Sequence, residues 1–170
     1  WVTPLWHNDY PFGKYLSNGV AEQPAEVRAL NLNETYGISV ESAFIRIVSS
    51  GHGWGENNSE NAAEFRESTH HIEINGANTF DQHLWRTCNP SPTSCSPQNG
   101  TWYYNRHGWC PGTIPQLWRF DLAANIGQIV TAEYIFDTTY VDYCSSFNPN
   151  CNSGICPNCL ETYNQYIIVA

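Results

Sequence analysis

The sequence contains no methionine, and Lys and Arg together number only 7 of its 170 residues. A chain that opens on Trp1 with no initiator Met reads as a processed or excised piece of a longer one. The shortage of cations sets 7 positive residues against 16 Asp and Glu, a formal net charge of −9. Phosphate recognition needs basic neutralisation, so nucleic acid is excluded as a partner, and an anionic membrane surface is disfavoured for the same reason. No stretch approaches the roughly 18 apolar residues of a spanning helix, so no membrane partner is expected. No segment sustains a 3.6-residue apolar period, which argues against a helical bundle.

What the chain does have is aromatics, cysteines and alternation. Aromatic residues make up 14% of the chain, as much as all the charged residues together. The 7 cysteines point to an oxidising compartment, hence a secreted, extracellular or cell-surface protein. Ala25–Leu32 (AEVRALNL), Glu41–Ser50 (ESAFIRIVSS) and His70–Gly76 (HHIEING) alternate apolar and polar residues, the period of a half-buried strand, and the last ends in an Asn-Gly hairpin signal. TWYYNRHGW at 101–109 reads as an aromatic strand, with Trp102, Tyr104 and Arg106 on one face and Tyr103, Asn105 and His107 on the other. Trp102 and Tyr104 then pack in the core, and Arg106 emerges near the strand's end. The first twenty residues read as an irregular lead-in. Roughly eight short strands with polar loops predict an all-β, antiparallel eight-stranded jelly-roll β-sandwich with disulfide-stapled loops, and residues 1–170 form one such domain.

Cys144, Cys151, Cys156 and Cys159 do not fit a zinc ribbon, because the upstream pair is too widely spaced. Disulfides are the better reading; the pairing inside 144–159 and the fate of Cys95 stay open. His70 and His71 are adjacent on a strand and so point to opposite faces, which weakens a copper site. No metal and no cofactor is expected. The sequons at Asn33, Asn57 and Asn99 fall at turn or loop positions and do not discriminate between readings.

In order along the chain stand TPLWHNDYPFG, IRIVSSGHGW, NAAEFRESTHHIEING, LWRTCNP and QNGTWYYNRHGWCPG. This succession resembles the C-terminal jelly-roll domain of the peptide-N-glycosidase F family, secreted amidases that cleave the bond between asparagine and the first GlcNAc of an N-glycan. The likeness runs from residue 1 to about Phe136. It implies a fold shared with the peptide-hydroxylating copper monooxygenases, and a preceding N-terminal jelly-roll domain as partner. It also implies an N-glycoprotein or glycan ligand in a cleft between the two domains. By position it implies a disulfide between Cys88 and Cys110, an active-site glutamate at Glu64, and glycan-contacting residues at Arg106 and Trp109. Phe65 stands where the family has a tryptophan, and Ala62 and Arg66 stand where it has a small disulfide. The family's essential aspartate belongs to the preceding domain, so the isolated chain is expected to be inactive or nearly so.

The chemistry needed is amide hydrolysis, which requires an activated water, a proton donor and stabilisation of the developing oxyanion. A carboxylate can act as base or acceptor, an arginine can hold an oxygen, and aromatic faces suit sugar rings. Glu64, Arg106, Trp109, Trp54 and Phe65 suit those roles only if their loops meet at one rim. Taken without the resemblance, Glu64 is a solvated loop charge and Trp109 packs beside a disulfide. The rival function is a non-catalytic extracellular module that binds glycans or helps build a surface assembly.

Overall fold

The computed structural model describes residues 2–11, 27–33, 37–53, 63–92, 97–137, 149–151 and 165–170. These contain eight strands: β1 (His7–Pro11), β2 (Arg28–Asn31), β3 (Phe44–His52), β4 (Ser68–Ile74), β5 (Ala77–Leu84), β6 (Trp118–Asp121), β7 (Ile129–Ile135) and β8 (Gln165–Val169). They form two four-stranded antiparallel sheets, ordered β1-β8-β3-β6 and β2-β7-β4-β5. The chain passes back and forth between the sheets, which is the wrapping of a jelly roll.

Period-2 alternation decides which residues face inward. On β4, Ser68, His70, Ile72 and Ile74 are buried, and on β3, Ile45, Ile47, Ser49 and Gly51. The apolar members join Trp6, Leu30, Leu32, Phe120, Leu122, Val130, Ala132, Tyr134 and Phe136 in one cluster between the sheets. β4 turns into β5 through Asn75 and Gly76, both at positive φ (57° and 73°), the backbone of a tight two-residue hairpin. The Asn75 side chain accepts from Thr131 N at 2.9 Å, tying this turn to β7.

Two expectations are corrected. The first twenty residues do contain a strand: β1 pairs with β8 along its whole length, from His7 opposite Val169 to Pro11 opposite Gln165. HNDYP carries no alternation to announce it, so its strand state comes from the partner. The run at 101–109 is instead a series of turns and bends whose ladder contact is a bridge between Arg106 and Arg86. Aromatic β-propensity there loses to the hydrogen bonds that the Arg106 side chain makes with Thr101, Trp102 and Tyr104. Tyr103 and Tyr104 are 46% and 48% exposed, whereas Arg106 and His107 are buried.

Candidate functional site

β3, β4 and β5 all have one terminus at the same end of the sandwich, and the segments at 63–67 and 101–110 cover it. Arg106 organises this end. Its Nε donates to Glu64 Oε1 at 2.6 Å, its Nη2 to Thr101 Oγ1 at 3.0 Å, and its Nη1 to the carbonyls of Tyr104 (3.0 Å) and Trp102 (3.4 Å). The guanidinium thus folds its own upstream segment around itself, which is why TWYYN is a turn. Backbone bonds lock the pair further: His107 N donates to Glu64 O at 2.8 Å, and residues 86 and 106 exchange both N–H···O bonds.

Glu64 sits in a short 3-10 turn, Ala63–Phe65. Its side chain is 19% exposed against 4% for Arg106. One carboxylate oxygen is therefore engaged from beneath, and the carboxylate keeps a path to the surface. Phe65 and Trp109 flank the guanidinium, their ring centres 5.0 and 5.2 Å from Arg106 Cζ. Such contacts with a desolvated cation are worth up to about 2 kcal/mol each. Trp109 donates its indole N–H to Gly51 O at 3.0 Å and stacks with His52 at 5.3 Å. Its ring edge is committed to the fold, so what it can offer a ligand is ring surface.

Two devices hold these loops on the sheets. Cys88 and Cys110 are bonded, closing a loop of sequence separation 22, and both are buried. Gly108, at φ +80°, lies so close to β3 that a Cβ there would sit 2.1 Å from Ser49 O. Only glycine fits. Gly51 N donates to His107 O at 3.0 Å across the same contact.

Beneath the rim lies a buried polar row that the sequence did not single out. His107 Nδ1 is 2.9 Å from Arg66 O and 3.2 Å from Ser68 Oγ, and its ring centre is 5.0 Å from that of His70. His70 Nδ1 is 2.7 Å from the Tyr134 hydroxyl, which donates to the Gln82 side-chain carbonyl; Ser49 Oγ donates there too at 3.0 Å. Burial pushes the His107 imidazole down to about 4, with the Arg66 carbonyl and Asp137 acting in the opposite direction. Burial, then the neighbouring His107 and His71, holds His70 well below the ordinary imidazole range. Both rings are neutral near pH 7. On an inward face, HHIEI was the available signal for His70; Ser49, Ser68 and Gln82 look outward-facing by composition alone.

The structure brings together Glu64, Arg106, Trp109 and Phe65. Trp54 lies outside the described residues, as do Cys95, Cys144, Cys156 and Cys159; Cys151 is disulfide-bonded. Two further histidines pair with carboxylates: His71 bonds Asp81 at 2.8 Å, and His83 lies 3.3 Å from Glu67. Among the described residues, no group of three or more His, Cys, Asp and Glu side chains could hold a metal ion. A pocket of about 430 Å³, walled by Leu30, Leu32, Ala43, Phe44 and Leu122, lies at the opposite end of the sandwich.

Comparison with known proteins converges on one family. The profile of "Peptide-N-glycosidase F, C terminal" matches residues 23–152. The peptide-N(4)-(N-acetyl-beta-D-glucosaminyl)asparagine amidase F of Elizabethkingia miricola is 32% identical over 136 residues, which is 75% of this chain and 37% of the relative. The structure of PNGase F, a glycosylasparaginase from Flavobacterium meningosepticum, superposes with a TM-score of 0.66 at 25% identity, over 98% of this chain and 49% of that one. Recombinant peptide:N-glycanase F gives 0.66 at 26% identity, over 98% and 48%. The chain therefore spans about half, or less, of the length of these relatives.

Proposed function

The chain belongs to the peptide-N-glycosidase F family, by its match to that family's C-terminal domain, and on that premise we propose that it supplies one wall of an amidase site. The substrate class is the N-glycoprotein, and the bond is the amide between the asparagine side chain and the first GlcNAc. The other wall is a preceding jelly-roll domain, so residues 1–170 are one domain of a two-domain protein. The cysteine usage supports a secreted or cell-surface location.

The observation that carries this reading is the Glu64–Arg106 contact of 2.6 Å, flanked by Phe65 and Trp109 at one end of the sandwich. Two residues 42 positions apart meet there, an acid with an exposed edge on a cation with almost none. Hydrolysis adds water across the C–N bond: the water oxygen bonds to the carbonyl carbon, the bond to nitrogen breaks, and a proton goes to the leaving amine. Glu64 is placed to accept a hydrogen bond from the linkage N–H or from the attacking water. Arg106 fixes that carboxylate in one orientation, which is the positioning such chemistry needs.

A second reading is favoured by a specific feature. Arg106 Nε, Nη1 and Nη2 all have acceptors inside the protein. A guanidinium so occupied is suited to building a glycan-binding rim without hydrolysis. A glycan-release assay separates the two. The chain joined to its preceding domain should release N-glycans, the chain alone should be inactive or nearly so, and Glu64→Gln should abolish release while leaving glycan binding in place. Binding without release by the joined protein selects the second reading. Full activity of the isolated chain overturns the division of labour.

A further inference from the structure

The aromatic surface does not stop at the Glu64–Arg106 pair. Phe65, over the guanidinium, meets Tyr104 edge-on with ring centres 6.0 Å apart. Tyr104 lies 4.4 Å from Tyr103, and Tyr103 lies 5.8 Å from Trp102. Phe65, Tyr104, Tyr103 and Trp102 thus form a run of ring contacts that starts at the guanidinium, with ring centres 6.0, 4.4 and 5.8 Å apart in turn. Its outer members are open, with Tyr103 and Tyr104 each close to half exposed. An exposed tyrosine pair on a mobile loop would be unremarkable. Here the backbone carrying it is fixed from below, because Arg106 holds the carbonyls of Trp102 and Tyr104 and the Thr101 hydroxyl.

We propose that Tyr103 and Tyr104, with Trp102 beside them, form a second carbohydrate subsite that binds sugars farther from the asparagine than those at Trp109. This deepens the proposed function and rests on it. The ligand is a neutral oligosaccharide branch. Aromatic rings with polar edges offer apolar faces to the C–H side of a pyranose and hydroxyls to its rim. A net charge of −9 with only 7 cationic residues in the chain disfavours sialylated, sulfated or phosphorylated branches. The shelf shares a scaffold with the carboxylate, since one arginine side chain holds both. Occupying the shelf therefore fixes the glycan's direction relative to Glu64.

The test is calorimetric titration of the chain joined to its preceding domain with two neutral free glycans, N,N′-diacetylchitobiose and a high-mannose N-glycan ending in the same two sugars. The proteins compared are the wild type, Tyr103→Ala/Tyr104→Ala, Tyr103→Phe/Tyr104→Phe and Trp109→Ala. Both tyrosines are exposed, so thermal unfolding of the double variants should match the wild type. The alanine pair is expected to weaken the high-mannose glycan by about five- to tenfold and leave chitobiose affinity unchanged, and the phenylalanine pair to recover most of the loss. If the wild type binds the high-mannose glycan and the alanine pair binds it equally well, the second subsite is wrong and the proposed function stands. If the wild type binds neither glycan, the proposed function falls, and this subsite with it. A high-mannose affinity that drops only in Trp109→Ala likewise rejects the shelf.

Discussion

Along β3 the inward residues run Ile45, Ile47, Ser49, Gly51; along β4, in the same spatial direction, they run Ile74, Ile72, His70, Ser68. One half of the sandwich interior is therefore hydrocarbon and the other is a hydrogen-bonded row that adds Tyr134 and Gln82. The far half needs no partner chemistry: Ile72, Val130 and Leu122 are buried and each residue of that size contributes about 1.5–3 kcal/mol by leaving water. The near half is polar where it meets the loops that carry Glu64 and Arg106. Directional bonds there fix one arrangement, whereas apolar packing tolerates several. The difference teaches where stability and where geometry reside in this fold.

The sharpest way to break that comparison is at one positive-φ glycine in each half, Gly108 and Gly76. Gly108→Ala in the near half forces a methyl group to 2.1 Å from Ser49 O, and should cost about 4 kcal/mol or more in chemical denaturation. A cost under about 1 kcal/mol would mean the loop is not seated on β3. Next comes the staple. Replacing Cys88 and Cys110 together by alanine reopens a loop of separation 22, for a loss of about 3 kcal/mol from chain entropy. Proteolysis should then begin between residues 88 and 110.

The third prediction concerns pH. His107 titrates near 6.5 when unfolded and at about 4 when folded. Between those values the unfolded chain binds the extra proton, so unfolding free energy falls as pH drops through that window. The contribution is full above about 6.5, is lost by about 4, and amounts to about 3 kcal/mol. His70 is lowered for the same main reason and steepens the loss. Denaturation midpoints at pH 7, 5.5 and 4 read the slope, and His107→Gln should flatten it; equal slopes in both proteins would put the histidines out of the account. The smallest effect belongs to the far half. Gly76→Ala has φ +73° and open space around the new methyl, so it should cost only about 1 kcal/mol.

How much of this was written in the residues varies along the chain. HHIEING reads directly as a strand and a turn, because alternation and Asn-Gly are local signals. TWYYNRHGW misleads for a physical reason: its aromatics favour extension, but Arg106 finds acceptors two, four and five residues upstream and closes the segment. β1 is invisible because HNDYP becomes a strand only when β8 arrives beside it. Ser49 and Gln82 sit on inward positions that composition assigns outward. The meeting of Glu64 with Arg106 is a long-range event, which alternation and spacing do not encode; the family likeness suggested it and the coordinates bring the two into contact.

The contact at Gly51 has one more effect. β6 covers β3 only from Phe44 to Ile47, so past that point β3 has β8 on one flank and, among the described residues, no strand on the other. Residues 107–109 occupy that flank, taking the Gly51 amide with the His107 carbonyl and the Gly51 carbonyl with the Trp109 indole. An open strand margin invites pairing with a stranger's chain and, from there, fibres. The loop that carries Arg106 thus also blinds a sticky border left by a short neighbour, and damage to it should surface as clumping.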